Sequence, residues 1–114
     1  MAHVHVLSDD LLFGSRLQAD LTGAGHEVTL GPRLQPGAQA LIADLTHDAD
    51  GQLAALAPLL ADAPPRPPVL AFFAHVEPDV RERALAAGVD QVVPRSRIAR
   101  EGPALLAALL ATAR

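Results

Sequence analysis

Apolar and polar positions along the chain fall into two alternating rhythms. HVHVL (3–7) reads as a first strand, and Asp9 or Asp10 can cap the helix that follows. Phe13, Leu17, Leu21 and Ala24 then fall at helical spacing and make one buried stripe, with Gly23 and Gly25 as the stop. EVTL (27–30) is a second strand. The next nine residues, GPRLQPGAQ, carry two prolines and two glycines and do not read as a helix. ALIAD (40–44) is apolar up to its last residue, as expected of a central strand. Leu53, Leu56 and Leu60 mark a helix that Pro58 kinks or restarts. APPRPP (63–68) is a stiff connector, and VLAFF (69–73) is a fourth buried strand. Pro78 suits the first turn of a helix with Val80, Ala84 and Ala87 inward and Gly88 at its end. QVV (91–93) is a short fifth strand, and Gly102 and Pro103 open a last helix.

Strands alternating with helices predict a parallel sheet covered on both faces. The step from the second strand to the third is unusual. A parallel crossover normally takes a dozen or more residues, usually with a helix. Nine extended residues reach about 30 Å, so the chain can return, but a full helix hardly fits. The expectation is a single α/β domain over residues 1–114, with five parallel strands and the second helix shortened or missing. A chain of 114 residues buries about two-thirds of its unfolded surface, enough for a core without staples.

Composition removes several functions. There is no cysteine, hence neither a disulfide framework nor a thiolate metal site. The net charge is −4 and all nine basic residues are arginine, a balance that does not favour nucleic acid. Arg95, Arg97 and Arg100 cluster, as arginines on a solvated surface commonly do. Three phenylalanines without Tyr or Trp do not make a platform for stacking bases. The apolar run 104–111 is too short to span a bilayer. MAHVHVLSDD shows no basic stretch leading into a long apolar one, so no export signal is expected and the expected location is cytoplasmic.

Chemistry concentrates at strand ends. Asp44 follows a buried strand directly, where a carboxylate can act as nucleophile or metal ligand, or simply cap the next loop. Asp9 and Asp10 are candidate acidic-pocket or metal residues, or else helix N-caps. Thr46, His47, Asp48 and Asp50 read as a metal-binding group or as an ordinary polar loop. His3 and His5 share one face of the first strand, a spacing that opens metal-dependent hydrolases of much greater length. His75 ends the fourth strand, as a pocket contact or a surface histidine. No glycine-rich phosphate loop follows the first strand, where SDDLLFGS holds only Gly14. In the last helix Leu105, Leu106, Leu109 and Leu110 form two adjacent rows. One buried face can absorb all four, or they can meet a partner.

Taken in order, these stretches resemble a response-regulator receiver domain. HVEPDVRERALAAGVDQVVPRS (75–96) is similar to that family's passage from the end of the fourth strand, through the fourth helix and its A-x-x-A-G-A-D turn, to the fifth strand and its lysine-proline. VHVLSDD with GHEV resembles the family's start, and ALIADL its third strand, which ends in the phosphoacceptor aspartate. The resemblance covers nearly the whole chain. It implies a flavodoxin-like sheet of order 2-1-3-4-5 and places Asp44 as phosphoacceptor. Such chemistry uses Mg²⁺ on oxygen ligands and a positive charge that offsets the growing phosphoryl charge.

The departures carry the functional expectation. Ser8 and Asp9 stand at the paired acids, or Asp9 and Asp10 if the register slips by one. Phe73 stands where a threonine or serine hydroxyl is expected, and it cannot donate a hydrogen bond. Arg95 replaces the lysine, keeping the charge on a bulkier planar group, and Ser96 replaces the proline. The expected function is therefore a pseudo-receiver, not an enzyme. It would act in signal transduction by protein–protein contact, without an output domain and without conventional phosphorylation switching. No cofactor is firmly implied, with Mg²⁺ the one candidate. The expected partner is another signalling protein or a second copy, meeting the face of the fourth helix, fifth strand and fifth helix. Two alternatives are a working receiver phosphorylated on Asp44 and a flavodoxin-like module that binds a small ligand at the carboxyl ends of its strands.

Overall fold

The structure, a computed structural model, describes residues 2–62, 65–74 and 79–112. Five strands and four helices follow one another as β1 (His3–Leu7), α1 (Leu11–Gly23), β2 (Glu27–Gly31), β3 (Ala40–Asp44), α2 (Ala49–Leu60), β4 (Val69–Phe73), α3 (Val80–Ala87), β5 (Gln91–Pro94) and α4 (Arg95–Thr112). All neighbouring strands pair in parallel, in the order β2-β1-β3-β4-β5. No helix is long and apolar enough to cross a membrane among the described residues.

The two faces of the sheet carry separate cores, because successive strand residues point to opposite sides. Val4, Val6, Ile42, Leu70 and Phe72 pack with Leu17 and Leu21 of α1 and with Ile98, Leu105, Leu106 and Leu109 of α4. Leu7, Leu41, Ala43, Ala71 and Phe73 pack with Leu56 of α2 and with Val80 and Ala84 of α3. Strands β3 and β4 are buried at every position, which is why they read as unbroken apolar runs.

Residues 32–39 cross from β2 to β3 without any helix, and the polar surface there is consistent with that. On the uncovered side, His3 and His5 of β1 lie in register with Glu27 and Thr29 of β2. Glu27 and Thr29 are exposed. A helix packed there would need apolar residues at these positions.

Some expected boundaries shift. Ala24 is exposed at the C-cap of α1 and does not extend the buried stripe. Ala87 is exposed as well. Gly88 takes φ +104°, a left-handed turn that returns the chain so that Val89 donates its N–H to the Ala84 carbonyl and buries its side chain in place of Ala87. Helix α2 starts at Ala49, four residues before Leu53, and runs through Pro58 to Leu60. Helix α4 begins directly after β5 at Arg95 and bends at Glu101, where φ is −124° and ψ 18°. Gly102 and Pro103 stand directly after this kink and open the second of the two helical segments it separates, as expected, while the segment 95–100 before them is not foreseen. A Cβ on Gly102 would come within 3.1 Å of the Leu17 side chain, so the bend point lies close against α1. Pro78 falls outside the described residues.

One clamp joins β4 to the α3–β5 turn. The Asp90 carboxylate accepts from the Val69 N–H at 2.8 Å and pairs with Arg66 at 3.0 Å, while Arg66 also donates to the Gly88 carbonyl at 3.1 Å. Asp90→Ala removes the acceptor of a strand-end N–H as well as one half of an ion pair. A loss of about 1–2 kcal/mol in urea unfolding is expected, with an unchanged denaturant slope.

Candidate functional site

The sheet order makes β1 and β3 neighbours, so the residues that follow their carboxyl ends face each other across a crevice. Asp44 sits there only 5% exposed, and Ser8 is fully buried beside it. The Ser8 hydroxyl donates to Asp44 Oδ2 at 2.7 Å. The Thr46 N–H donates to Asp44 Oδ1 at 2.8 Å, the local turn by which an aspartate caps the loop it begins. Each carboxylate oxygen thus has its own donor, one from the neighbouring strand and one from its own loop.

Ser8 is a two-way link. Its oxygen also accepts from the Asp10 N–H at 3.0 Å, which ties the start of α1 to Asp44. Asp10 caps α1 by accepting the Phe13 N–H at 3.0 Å, and its other oxygen pairs with Arg95 Nη2 at 3.3 Å. The Arg95 guanidinium carbon lies 4.2 Å from the centre of the Phe13 ring, and that ring meets Phe72 at 5.2 Å. Arg95 is thus held by an ion pair and a cation–π contact that join the starts of α1 and α4.

The crevice beside Asp44 is small, about 100 Å³, and is lined by Asp9, Pro32, Asp44, His47, Asp48 and Gln52. Gln52 closes its floor by donating to the Asp44 carbonyl at 3.3 Å and, at the limit of such contacts, to the Leu7 carbonyl at 3.5 Å. Asp48 caps α2 through the Gly51 N–H, and Asp50 pairs with Arg83 at 2.9 Å.

These placements sort the expected site residues. Asp44 and Ser8 come together, and Asp9 stands exposed at the rim of the same crevice. Asp10 takes the N-cap role, with its free oxygen directed at Arg95, so Ser8 is the residue of β1's end that faces Asp44. Phe73 is 7% exposed and belongs to the core on the α2 and α3 side. Among the described residues no three acids or histidines converge as a metal-ion site, and the Thr46–Asp50 stretch is divided among a turn, a cap and an ion pair. A divalent cation needs several free oxygen ligands. Each Asp44 oxygen already accepts one hydrogen bond, and Asp9 and Asp48 are the other carboxylates that line the crevice.

Leu105, Leu106 and Leu109 are buried in the core, and Leu110 packs against it. The single buried face absorbs Leu105, Leu106 and Leu109, which corrects their placement as interface residues, while Leu110 stays partly exposed at the edge of that face. His5 is fully buried, with Nδ1 at 2.7 Å from the Thr29 hydroxyl and Nε2 at 2.6 Å from the Arg33 carbonyl. Its two nitrogens serve the fold, not a metal. His75 lies outside the described residues. Pro32 and Gln52 were not foreseen, because a lone proline or glutamine carries no signal of a crevice wall. The Arg95–Phe13 contact spans most of the chain and follows only from the folded sheet order.

No family model and no curated protein matches the chain. Solved structures do. The receiver domain of the Francisella response regulator 1452 superposes with a TM-score of 0.80 at 14% identity over 100% of both chains. The receiver domain of the TMAO respiratory system response regulator TorR gives 0.84 at 16% identity, again over 100% of both. A response regulator receiver protein from Burkholderia phymatum gives 0.76 at 22% identity over 97% of this chain and 96% of the other. The chain has the flavodoxin-like fold of response-regulator receiver domains, with four helices around the sheet.

Proposed function

We propose that this chain is an atypical receiver domain. It works in signal transduction through protein–protein contact and does not use phosphorylation of Asp44 as its switch. The observation that carries this reading is the Ser8–Asp44 hydrogen bond at 2.7 Å. A phosphoacceptor must present a free, ionised oxygen to phosphorus. Here one oxygen is held by a buried hydroxyl, the other by a backbone N–H, and the carboxylate is 5% exposed. Two more features point the same way. Arg95 is engaged by Asp10 and Phe13 and does not line the crevice, and Phe73, which has no hydroxyl, is packed in the core and does not line it either.

A protein partner is proposed at the face of α3, β5 and α4, the counterparts of a receiver's fourth helix, fifth strand and fifth helix. Leu105, Leu106 and Leu109 of α4 are buried in the core and take no part in it. Leu85 of α3, 41% exposed, is the large apolar side chain this face offers instead. A cytoplasmic location fits this role.

Incubation with acetyl phosphate and Mg²⁺ tests the reading by intact mass. The expected result is an unchanged mass. Gain of one phosphoryl group, lost in Asp44→Asn, would overturn it.

A further inference from the structure

We infer that His5 is a proton-sensitive latch that holds the helix-free crossover, residues 32–39, against the sheet and thereby sets one wall of the Asp44 crevice. The latch operates whether or not Asp44 accepts a phosphoryl group.

The geometry starts from the uncovered corner of the sheet. With no helix between β2 and β3, residues 32–39 are the chain that lies over β1 on that side. They are tied at both ends. At the far end the Gln39 N–H donates to the His3 carbonyl at 2.7 Å, and the His3 N–H donates to the Gln39 side chain at 2.8 Å. At the near end the tie is the His5 ring, at 2.6 Å from the Arg33 carbonyl. A carbonyl only accepts, so Nε2 carries the proton. In the neutral ring Nδ1 then accepts from the Thr29 hydroxyl, and both nitrogens are satisfied.

A second proton would have to go on Nδ1. The Thr29 hydroxyl could turn to accept it, but the charge would be enclosed in a ring with no exposed surface. The groups facing it are few. On β1 there is His3, two residues along on the same side. On β2 there are Thr29 and Glu27, and Glu27 pairs in register with His3. The register partner on β3 is Leu41, which is apolar. From the crossover come the Arg33 carbonyl and an exposed guanidinium. Burial holds the His5 ring below the ordinary value of 6.5, with the Arg33 carbonyl acting against that and His3 adding to it. A group held low in the folded state contributes stability above its unfolded value and loses it as pH falls through the window below 6.5. Opening the near end of the crossover to water relieves the buried charge without unfolding the sheet.

The crevice is coupled to the latch through the chain itself. Gly31 accepts the Ser8 N–H at 2.9 Å, Pro32 lines the crevice, and Arg33 is the residue that His5 holds. Release of Arg33 frees the Pro32 wall while Ser8 and Asp44 stay in place.

The test follows the His5 ring and the backbone resonances of 32–39, the Arg33 carbonyl carbon among them, by NMR from about pH 7.5 to about pH 5. The expected result is a His5 ring that titrates below an ordinary imidazole. The Arg33 carbonyl carbon and its neighbours in the crossover should shift in step with it while the resonances of β3 and β4 stay in place. In His5→Gln, whose side chain is neutral throughout, the profile should be flat. Crossover resonances that do not move across the His5 titration, or that move equally in His5→Gln, overturn the inference. If His5→Gln does not fold, coincidence of the ring titration and the Arg33 carbonyl shift in the wild type decides the matter alone.

Discussion

Ser8→Asp is expected to destabilise the fold by about 3–5 kcal/mol at neutral pH and to make its stability depend on divalent cations. The wild-type hydroxyl is fully buried, donates to Asp44 Oδ2 and accepts from Asp10, so it supplies a proton where a carboxylate would supply a charge. Replacing it sets two carboxylates in contact in a site with almost no water. One of the pair must then take up a proton that neither holds when unfolded at pH 7. The folded variant binds more protons than the unfolded chain, so its stability should rise as pH falls toward the ordinary carboxylate range. Millimolar Mg²⁺ should do the same by a different route. The new carboxylate, Asp44 and the rim residue Asp9 would supply three oxygen-bearing groups, and a ligand bound only by the folded state adds stability by mass action. Thermal melts with and without Mg²⁺ read both effects. Ser8→Ala is the control: it leaves one Asp44 oxygen without its donor, should cost about 1–2 kcal/mol, and should not respond to Mg²⁺. A Ser8→Asp variant as stable as wild type at pH 7, and indifferent to Mg²⁺, would mean that Ser8 does not face Asp44.

The strands were legible nearly to the residue. β1, β3 and β4 coincide with the runs read from the patterning: β3 and β4 because a strand buried on both faces is apolar nearly throughout, β1 because its histidines and valines alternate. The missing helix was legible too, since two prolines and two glycines in nine residues exclude it. The start of α4 was not. Arg95 to Arg100 shows a polar surface with only Ile98 fully buried, so no apolar stripe announces a helix there, whereas Gly102–Pro103 opens the segment after the kink at Glu101 as read. At the site, Asp44 was legible as a carboxylate ending a buried strand. Ser8 was legible by counting, but its hydrogen bond was not, because nothing in the sequence says which side chain across a strand pair supplies the donor. His5 shows the same limit. The alternation of HVHVL marks it as sharing a face with His3, and only the fold shows that the face lacks a helix and that a carbonyl of the crossover caps the ring.

Phe73→Thr restores the hydroxyl that receiver domains carry at the end of the fourth strand, and it is expected to lose stability without gaining chemistry. Phe73 is 7% exposed in the core shared with Leu56, Ala71, Val80, Ala84 and Val92. Removing a buried ring costs about 3–5 kcal/mol when the site collapses only in part, and a threonine hydroxyl left in its place must find a partner. A domain of this size has about 5–15 kcal/mol in total, so the melting temperature should fall by at least 10 °C or so. No phosphoryl group is expected on Asp44 of this variant, because Asp44 is still held by Ser8 and Thr46. The pairing of these two readouts separates two causes that would each leave Asp44 unphosphorylated. If the fourth-strand hydroxyl alone were missing, Phe73→Thr would take up a phosphoryl group on Asp44 despite its lower stability. If the carboxylate is blocked at its own oxygens, Phe73→Thr stays inert and only variants that remove the Ser8 hydroxyl open the site. Intact mass of Phe73→Thr after acetyl phosphate, measured below its melting temperature, distinguishes them, and the geometry around Asp44 predicts the second outcome.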